Sequence, residues 1–242
     1  MKMKKLLLVV LSAMMLLVIP VQAGATSVEH QLNEIVTLHG NGLTKAELKM
    51  DIVQLARETG KSEQQIVNQV LSELQSELSE DVGVFSSGGG NNATYLLDPS
   101  QKGHIFYTPA TSYKVFNHGH VGMYIARNQI VEAANPDDGI IKSTLGSRKV
   151  DKHSKIQYVT STTYTQDSNA ADWAGGKTTG SYNKNFAINR SCGGTSFNCS
   201  QLVWCAFKEK ANVDLDNDGG LGVYPRDIRD HKSVKTIKEY GV

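Results

Sequence analysis

The apolar positions of this 242-residue chain change their period along its length. In residues 28–80 they recur at three- and four-residue steps, as in Ile52, Leu55 and Ala56 and then Ile66, Val67, Val70, Leu71, Leu74 and Leu78. That spacing lays one apolar stripe along a helix. Thr44 with Glu47 and Ser62 with Gln65 have capping-box spacing, and Gly60 interrupts the pattern between them. Three helices are therefore predicted, at about 28–38, 45–59 and 63–80. No ionisable cluster with catalytic spacing lies there, so the region reads as a packing or autoinhibitory helical module, with a surface-binding role as the alternative.

Beyond it, VGVFSSGGGNN has the Gly, Ser and Asn content of a linker. The pattern then turns to short apolar or alternating runs: HIFY at 104–107, HVGMYIA at 120–126, QIVEAA at 129–134 and IQYVT at 156–160. These read as strands, and one helix is predicted to start near Asn198. The expected organisation is a helical module over 27–81, a linker over 82–93 and an α+β domain over 94–242.

The start of the chain adds a location. Lysines, an apolar run over 6–19 and then small residues form an export signal over 1–25, with cleavage after Ala23 or Ala25. The run is short of the ~20 residues that span a bilayer, so no stable membrane span is expected after cleavage. The expected location is outside the cytoplasm, secreted or associated with the cell wall. The formal net charge is +1 before Lys2, Lys4 and Lys5 are lost with the leader. Near-neutrality, with no basic run carrying interleaved aromatics, excludes a nucleic-acid partner.

All three cysteines, Cys192, Cys199 and Cys205, fall in one stretch. An odd count in an exported chain leaves a thiol unpaired. It is read either as a buried or intermolecular cysteine, or as a nucleophile beside a Cys192–Cys205 bridge. Asn198 is a good N-cap and Leu202, Val203, Ala206 and Phe207 form the following stripe, which puts Cys199 in the first turn of a helix. The positive end of the helix dipole and unpaired N–H groups there favour thiolate. Cys205 lies deeper, as a packed thiol or a disulfide partner. A cysteine nucleophile works with an imidazole. Of the seven histidines, His30, His39 and His231 lie in the helical module or the basic tail, leaving His104, His118, His120 and His153. His120 opens a strand in which Gly122 leaves room for close approach; His118 is its competitor.

GHVGMYIARNQIVEA at 119–133 followed by NCSQLVW at 198–204 resembles the permuted papain-like amidases and peptidases of YiiX or YycO type, relatives of the NlpC-like cell-wall peptidases. The resemblance covers roughly 102–228. It implies a circularly permuted papain-like (NlpC-like) domain of α+β class, its antiparallel sheet packed on the Cys-bearing helix. It also implies a Cys199 nucleophile, a His120 base and Glu132 as the third, orienting residue. His104 stands where the family usually shows Asp, and Asn198 where NlpC-like enzymes commonly carry Asp. An Asp there can pair with a free substrate amine, so Asn198 argues against a peptide with a free N-terminus.

Strand parity tests Glu132. A tight turn at Arg127–Asn128 would set Glu132 opposite Met123, on the face away from His120. The triad therefore requires a three-residue loop or a bulge that brings Glu132 opposite Tyr124. Asn198, Ser200 and Tyr124 are the expected substrate-binding residues. Asp214, Asp216 and Asp218 open like a calcium loop, but Pro225 stands where an EF-hand needs Glu. The run is read as an Asx/Gly-rich turn or as a structural calcium site; no cofactor is required for the chemistry. The expected activity is hydrolysis of amide bonds in a peptide or peptidoglycan substrate. The alternatives are a lipid or acyl-group hydrolase or transferase on the same fold, and a catalytically silent binding protein.

Overall fold

A computed structural model describes residues 23–81, 94–109 and 119–242. Residues 1–22 of the expected leader, the linker over 82–93 and His118 lie outside the described residues. The chain runs through α1 (Ala23–His39), α2 (Lys45–Thr59), α3 (Glu63–Asp81), β1 (Tyr95–Leu96), β2 (Ile105–Thr108), β3 (His120–Ala126), β4 (Gln129–Asn135), β5 (Gly139–Thr144), β6 (Lys149–Val150) and β7 (Lys155–Val159). It continues through α4 (Tyr164–Gly175), β8 (Ser181–Tyr182), β9 (Ser196–Phe197), α5 (Cys199–Ala211), α6 (Pro225–Asp230) and β10 (Val234–Glu239). Among the described residues no helix is long and apolar enough to cross a membrane.

The punctuation read from the sequence sets the first helices. Thr44 and Glu47 close a reciprocal capping box, and α2 ends at Gly60 in the left-handed conformation, φ 70°. Leu48, Ile52, Ile66, Val67, Val70 and Leu74 are buried. They belong to one continuous core with Phe186, Trp204, Val223 and Tyr224 of the α+β domain, so the module is packed on that domain.

The central sheet has the order β10-β7-β2-β3-β4-β5, every pair antiparallel. Alternation splits its buried residues between two clusters. Val121, Met123, Val131 and Ala133 join the α5 residues Leu202, Val203, Ala206 and Phe207. Phe106, Tyr124 and Ile130 join Leu145, Val150, Ile156 and Tyr240. The antiparallel sheet, the Cys-bearing helix against it and the His strand preceding that helix are the α+β arrangement that the resemblance implies.

Besides the two-residue strands β1, β6, β8 and β9, four elements were not anticipated: α4, α6, β5 and β10. In α4 the apolar side of the pattern rests on Ala170, Ala171 and Ala174, too weak in hydrophobicity to register as a period. Their small size lets α4 pack closely against α5. Its start was legible in the Thr163–Gln166 capping box. α5 itself was read as having one apolar stripe, yet every residue over 199–207 is buried, because α4 and the sheet enclose it. Cys192 and Cys205 are disulfide-bonded, leaving Cys199 as the free cysteine.

Candidate functional site

The first turn of α5 is built by Asn198. Its backbone is extended, its side chain accepts from Gln201 N–H at 2.9 Å, and the Gln201 side chain reaches back to Asn198 N–H at 3.3 Å. Cys199 follows as the first helical residue, 1% exposed.

His120 and Glu132 are brought together by the hairpin of β3 and β4. Ala126 pairs with Gln129 across a two-residue turn, and the register then slips so that Tyr124 pairs with Ile130 and Met123 with Val131. The extra residue is Ile125, a bulge on β3. The bulge was expected, but its consequence differs from the expectation. Tyr124 stands opposite Ile130, not Glu132, because the extra residue sits in the strand before the turn instead of in the loop. The shift is one residue either way, so Glu132 still lands on the face of His120, and the two side chains meet at 2.7 Å through His120 Nε2. Gly122 lies between them on that face. A Cβ there would come within 2.4 Å of the Phe106 ring, which packs 6.0 Å from the His120 ring.

Since Glu132 holds Nε2, the Nδ1 edge of the ring is the one left for Cys199, whose sulfur acts on the imidazole electrostatically. Burial alone would push the imidazole down, but the Cys199 sulfur and the Glu132 carboxylate outweigh it and raise His120 to about 9. Burial would likewise raise Glu132; the hydrogen bond from His120 and the charge of Arg148 hold its carboxyl below the usual value. Arg148 Nη2 donates to Glu132 at 2.8 Å, and the guanidinium lies 5.3 Å from the centre of the Phe106 ring. Arg148 was missed by sequence reasoning. It follows a short turn, carries no periodic signal, and meets Glu132 only through the fold.

The other expected residues fall elsewhere. His104 is 2.7 Å from Ser100 Oγ and His153 is 3.3 Å from Glu239, so neither belongs to the Cys199 group. Asn198, Ser200 and Tyr124 are all buried. Ser200 Oγ donates to Val223 C=O at 2.6 Å and Tyr124 OH to Asp98 C=O at 2.7 Å. All three polar groups are hydrogen-bonded inside the protein, where they brace the turn and the strand.

In the acidic run, Asp214 turns aside to accept from Trp204 Nε1 at 2.7 Å and from Lys208 at 3.1 Å. Asp216 and Asp218 instead gather with Asp227 of α6, their carboxylate oxygens within 4.8 Å of one another. Asp216 also pairs with Arg190. Asp227 is pushed up to about 8 by burial and by neighbouring carboxylates.

Comparison with known proteins gives two matches. Residues 101–236 match the family model described as "Permuted papain-like amidase enzyme, YaeF/YiiX, C92 family". The chain is also 39% identical over 222 residues to "Uncharacterized protein YycO" of Bacillus subtilis (strain 168), covering 89% of each. No solved structure matches.

Proposed function

From the premise that the chain belongs to the permuted papain-like amidase family YaeF/YiiX, we propose that it is an exported cysteine hydrolase cleaving amide bonds in cell-wall peptides. Cys199 acts as nucleophile, His120 as acid and base, and Glu132 as the residue that orients the imidazole. The single observation that carries this reading is the meeting of a free, buried Cys199 at a helix start with a His120 held by a buried, ionised Glu132.

The thiolate attacks the amide carbonyl, and the negative oxygen needs donors fixed in advance. Gln201 N–H is taken by the Asn198 side chain and Leu202 N–H by Asn198 C=O, which among the described residues leaves the N–H groups of Cys199 and Ser200 for that role. His120 gives its proton to the leaving amine as the C–N bond breaks, forming a thioester on Cys199. His120 then takes a proton from water, whose oxygen attacks the thioester. The acid product leaves and the thiolate–imidazolium pair is restored. The expected extracytoplasmic location supports peptidoglycan stem peptides as substrate.

Cys199→Ala should abolish release of peptides from purified peptidoglycan while leaving the melting temperature within a few degrees of wild type. Peptide release retained by that variant refutes the scheme. Release of acyl groups from phospholipid vesicles without any peptide release would transfer the activity to lipid hydrolysis.

A further inference from the structure

The family match begins at residue 101, yet helices α1 to α3 lie over the loops that hold the first turn of α5. Two irregular segments grip that turn. In the first, Asn185 C=O accepts from Asn198 Nδ2 at 3.3 Å, and Asn183 Nδ2 donates to Gln201 at 2.9 Å. In the second, Val223 C=O accepts from Ser200 Oγ at 2.6 Å, and Asn189 ties the two segments by donating to Val223 C=O at 2.9 Å and accepting from Val223 N–H at 2.7 Å. Neither segment is held by a strand ladder at these points, so its position depends on whatever satisfies its remaining polar groups.

The helical module satisfies them. Asn185 Nδ2 donates to Asp51 of α2 at 2.7 Å. Phe186 N–H donates to His39 Nε2 at 3.1 Å, and Asn41 Nδ2 donates to Lys184 C=O at 2.7 Å. His39 is 1% exposed, and with Nε2 accepting, its Nδ1–H donates to Asn41 Oδ1 at 2.8 Å. On the second segment, one Glu73 oxygen of α3 accepts from Leu221 N–H at 2.9 Å and Gly222 N–H at 3.4 Å. Each clamp thus stands one residue or one hydrogen bond away from a group that touches Asn198 or Ser200, the two neighbours of Cys199.

We infer that α1 to α3 are a positioning module for the nucleophile: Asp51 with His39 fixes the 184–186 segment, Glu73 fixes the 221–222 segment, and together they set the first turn of α5 so that Cys199 meets His120. The inference rests on the reading of Cys199 as nucleophile. Asp51 and Glu73 act through Asn185 and through the 221–223 backbone, so both are positioning residues. Satisfied, part-buried networks of this kind favour a single geometry, and removing one member loosens the rest.

The test uses the full chain with its disulfide intact and follows alkylation of Cys199, the free cysteine, by iodoacetamide from pH 5 to 9. Asp51→Ala and Glu73→Ala should each slow alkylation at pH 6 by about tenfold and move the rate profile toward that of an ordinary thiol, with an unchanged circular dichroism spectrum at the assay temperature. Asp51→Asn and Glu73→Gln keep a side-chain carbonyl acceptor in place and should recover most of the wild-type rate. If one alanine variant does not fold, the other carries the test on its own segment. Alanine variants that melt lower but alkylate at the wild-type rate and pH overturn the inference, because the helices then only stabilise. A wild-type chain that itself alkylates as an ordinary thiol removes the nucleophile reading, and this inference with it.

Discussion

At the scale of single residues, the site turns on how a carboxylate can be buried at a cost the fold sustains. Glu132 is 3% exposed, and an ionised carboxylate in such a place persists only with strong partners. It has two, His120 and Arg148, on the same oxygen. Arg148→Met should leave Glu132 with the imidazole alone and destabilise the protein by about 3 kcal/mol, as removal of one partner from a buried pair does, measured by urea unfolding at pH 6. Arg148→Lys keeps the charge but lacks the planar fork, so its loss should be intermediate. A methionine variant as stable as wild type would show that Arg148 contributes nothing to holding the carboxylate. The residue types of this group other than Arg148 were readable from the sequence because helix caps, strand starts and family spacing mark them. Arg148 was not, since its partner lies on a different strand and no local pattern links them.

At the scale of elements, one bulged residue decides the chemistry. The two-residue turn at Arg127–Asn128 would by itself place Glu132 on the wrong face, and Ile125 reverses the parity. That a shift was needed followed from the period of a strand; where the chain would put it did not, because a loop and a bulge satisfy parity equally and differ only in packing. The acidic run shows the same limit. Its sequence suggested Asp214, Asp216 and Asp218, whereas the fold replaces Asp214 with Asp227 from α6. We propose that Asp216, Asp218 and Asp227 take a structural calcium ion. Millimolar calcium should then raise the melting temperature at neutral pH by mass action, and Asp227→Asn should abolish the rise. A wild-type melting temperature indifferent to calcium leaves the run as an Asx/Gly-rich turn, in which Asp216 and Asp218 already accept from Gly219 and Gly220 N–H.

At the scale of the whole molecule, the buried groups leave a mark on stability against pH. His120 is raised from 6.5 to about 9, so the native state holds a proton that the unfolded chain has lost. Its contribution is complete below about pH 6.5 and disappears as pH rises through about 9. Glu132, lowered from 4.5, contributes above that value and loses its contribution as pH falls through its native pKa. His39, lowered from 6.5 to about 4 by burial, contributes above 6.5 and loses it as pH falls through about 4. Asp227, raised from 3.8 to about 8, contributes fully below about pH 3.8 and loses its contribution as pH rises through about 8. His120→Gln should therefore reduce the slope of unfolding free energy between pH 6.5 and 9 by about one proton, roughly 1.4 kcal/mol per pH unit. An unchanged alkaline slope would mean that His120 does not carry its proton in the native protein.

What the sequence by itself determined is local: the period of each run, the caps at Thr44 and Asn198, the helix that starts at Cys199, and the strands read at 120–126 and 129–134. These depend on neighbours within a few residues, and spacing records them. The tertiary structure decided which oxygen of Glu132 is shared, which carboxylates gather, whether Cys192 meets Cys205, and that helices outside the family match rest on the loops beside Cys199. Such outcomes depend on contacts between residues far apart in the chain. Many pairings there are compatible with the same local pattern, and the choice falls to the one that fills the core and satisfies every buried polar group together.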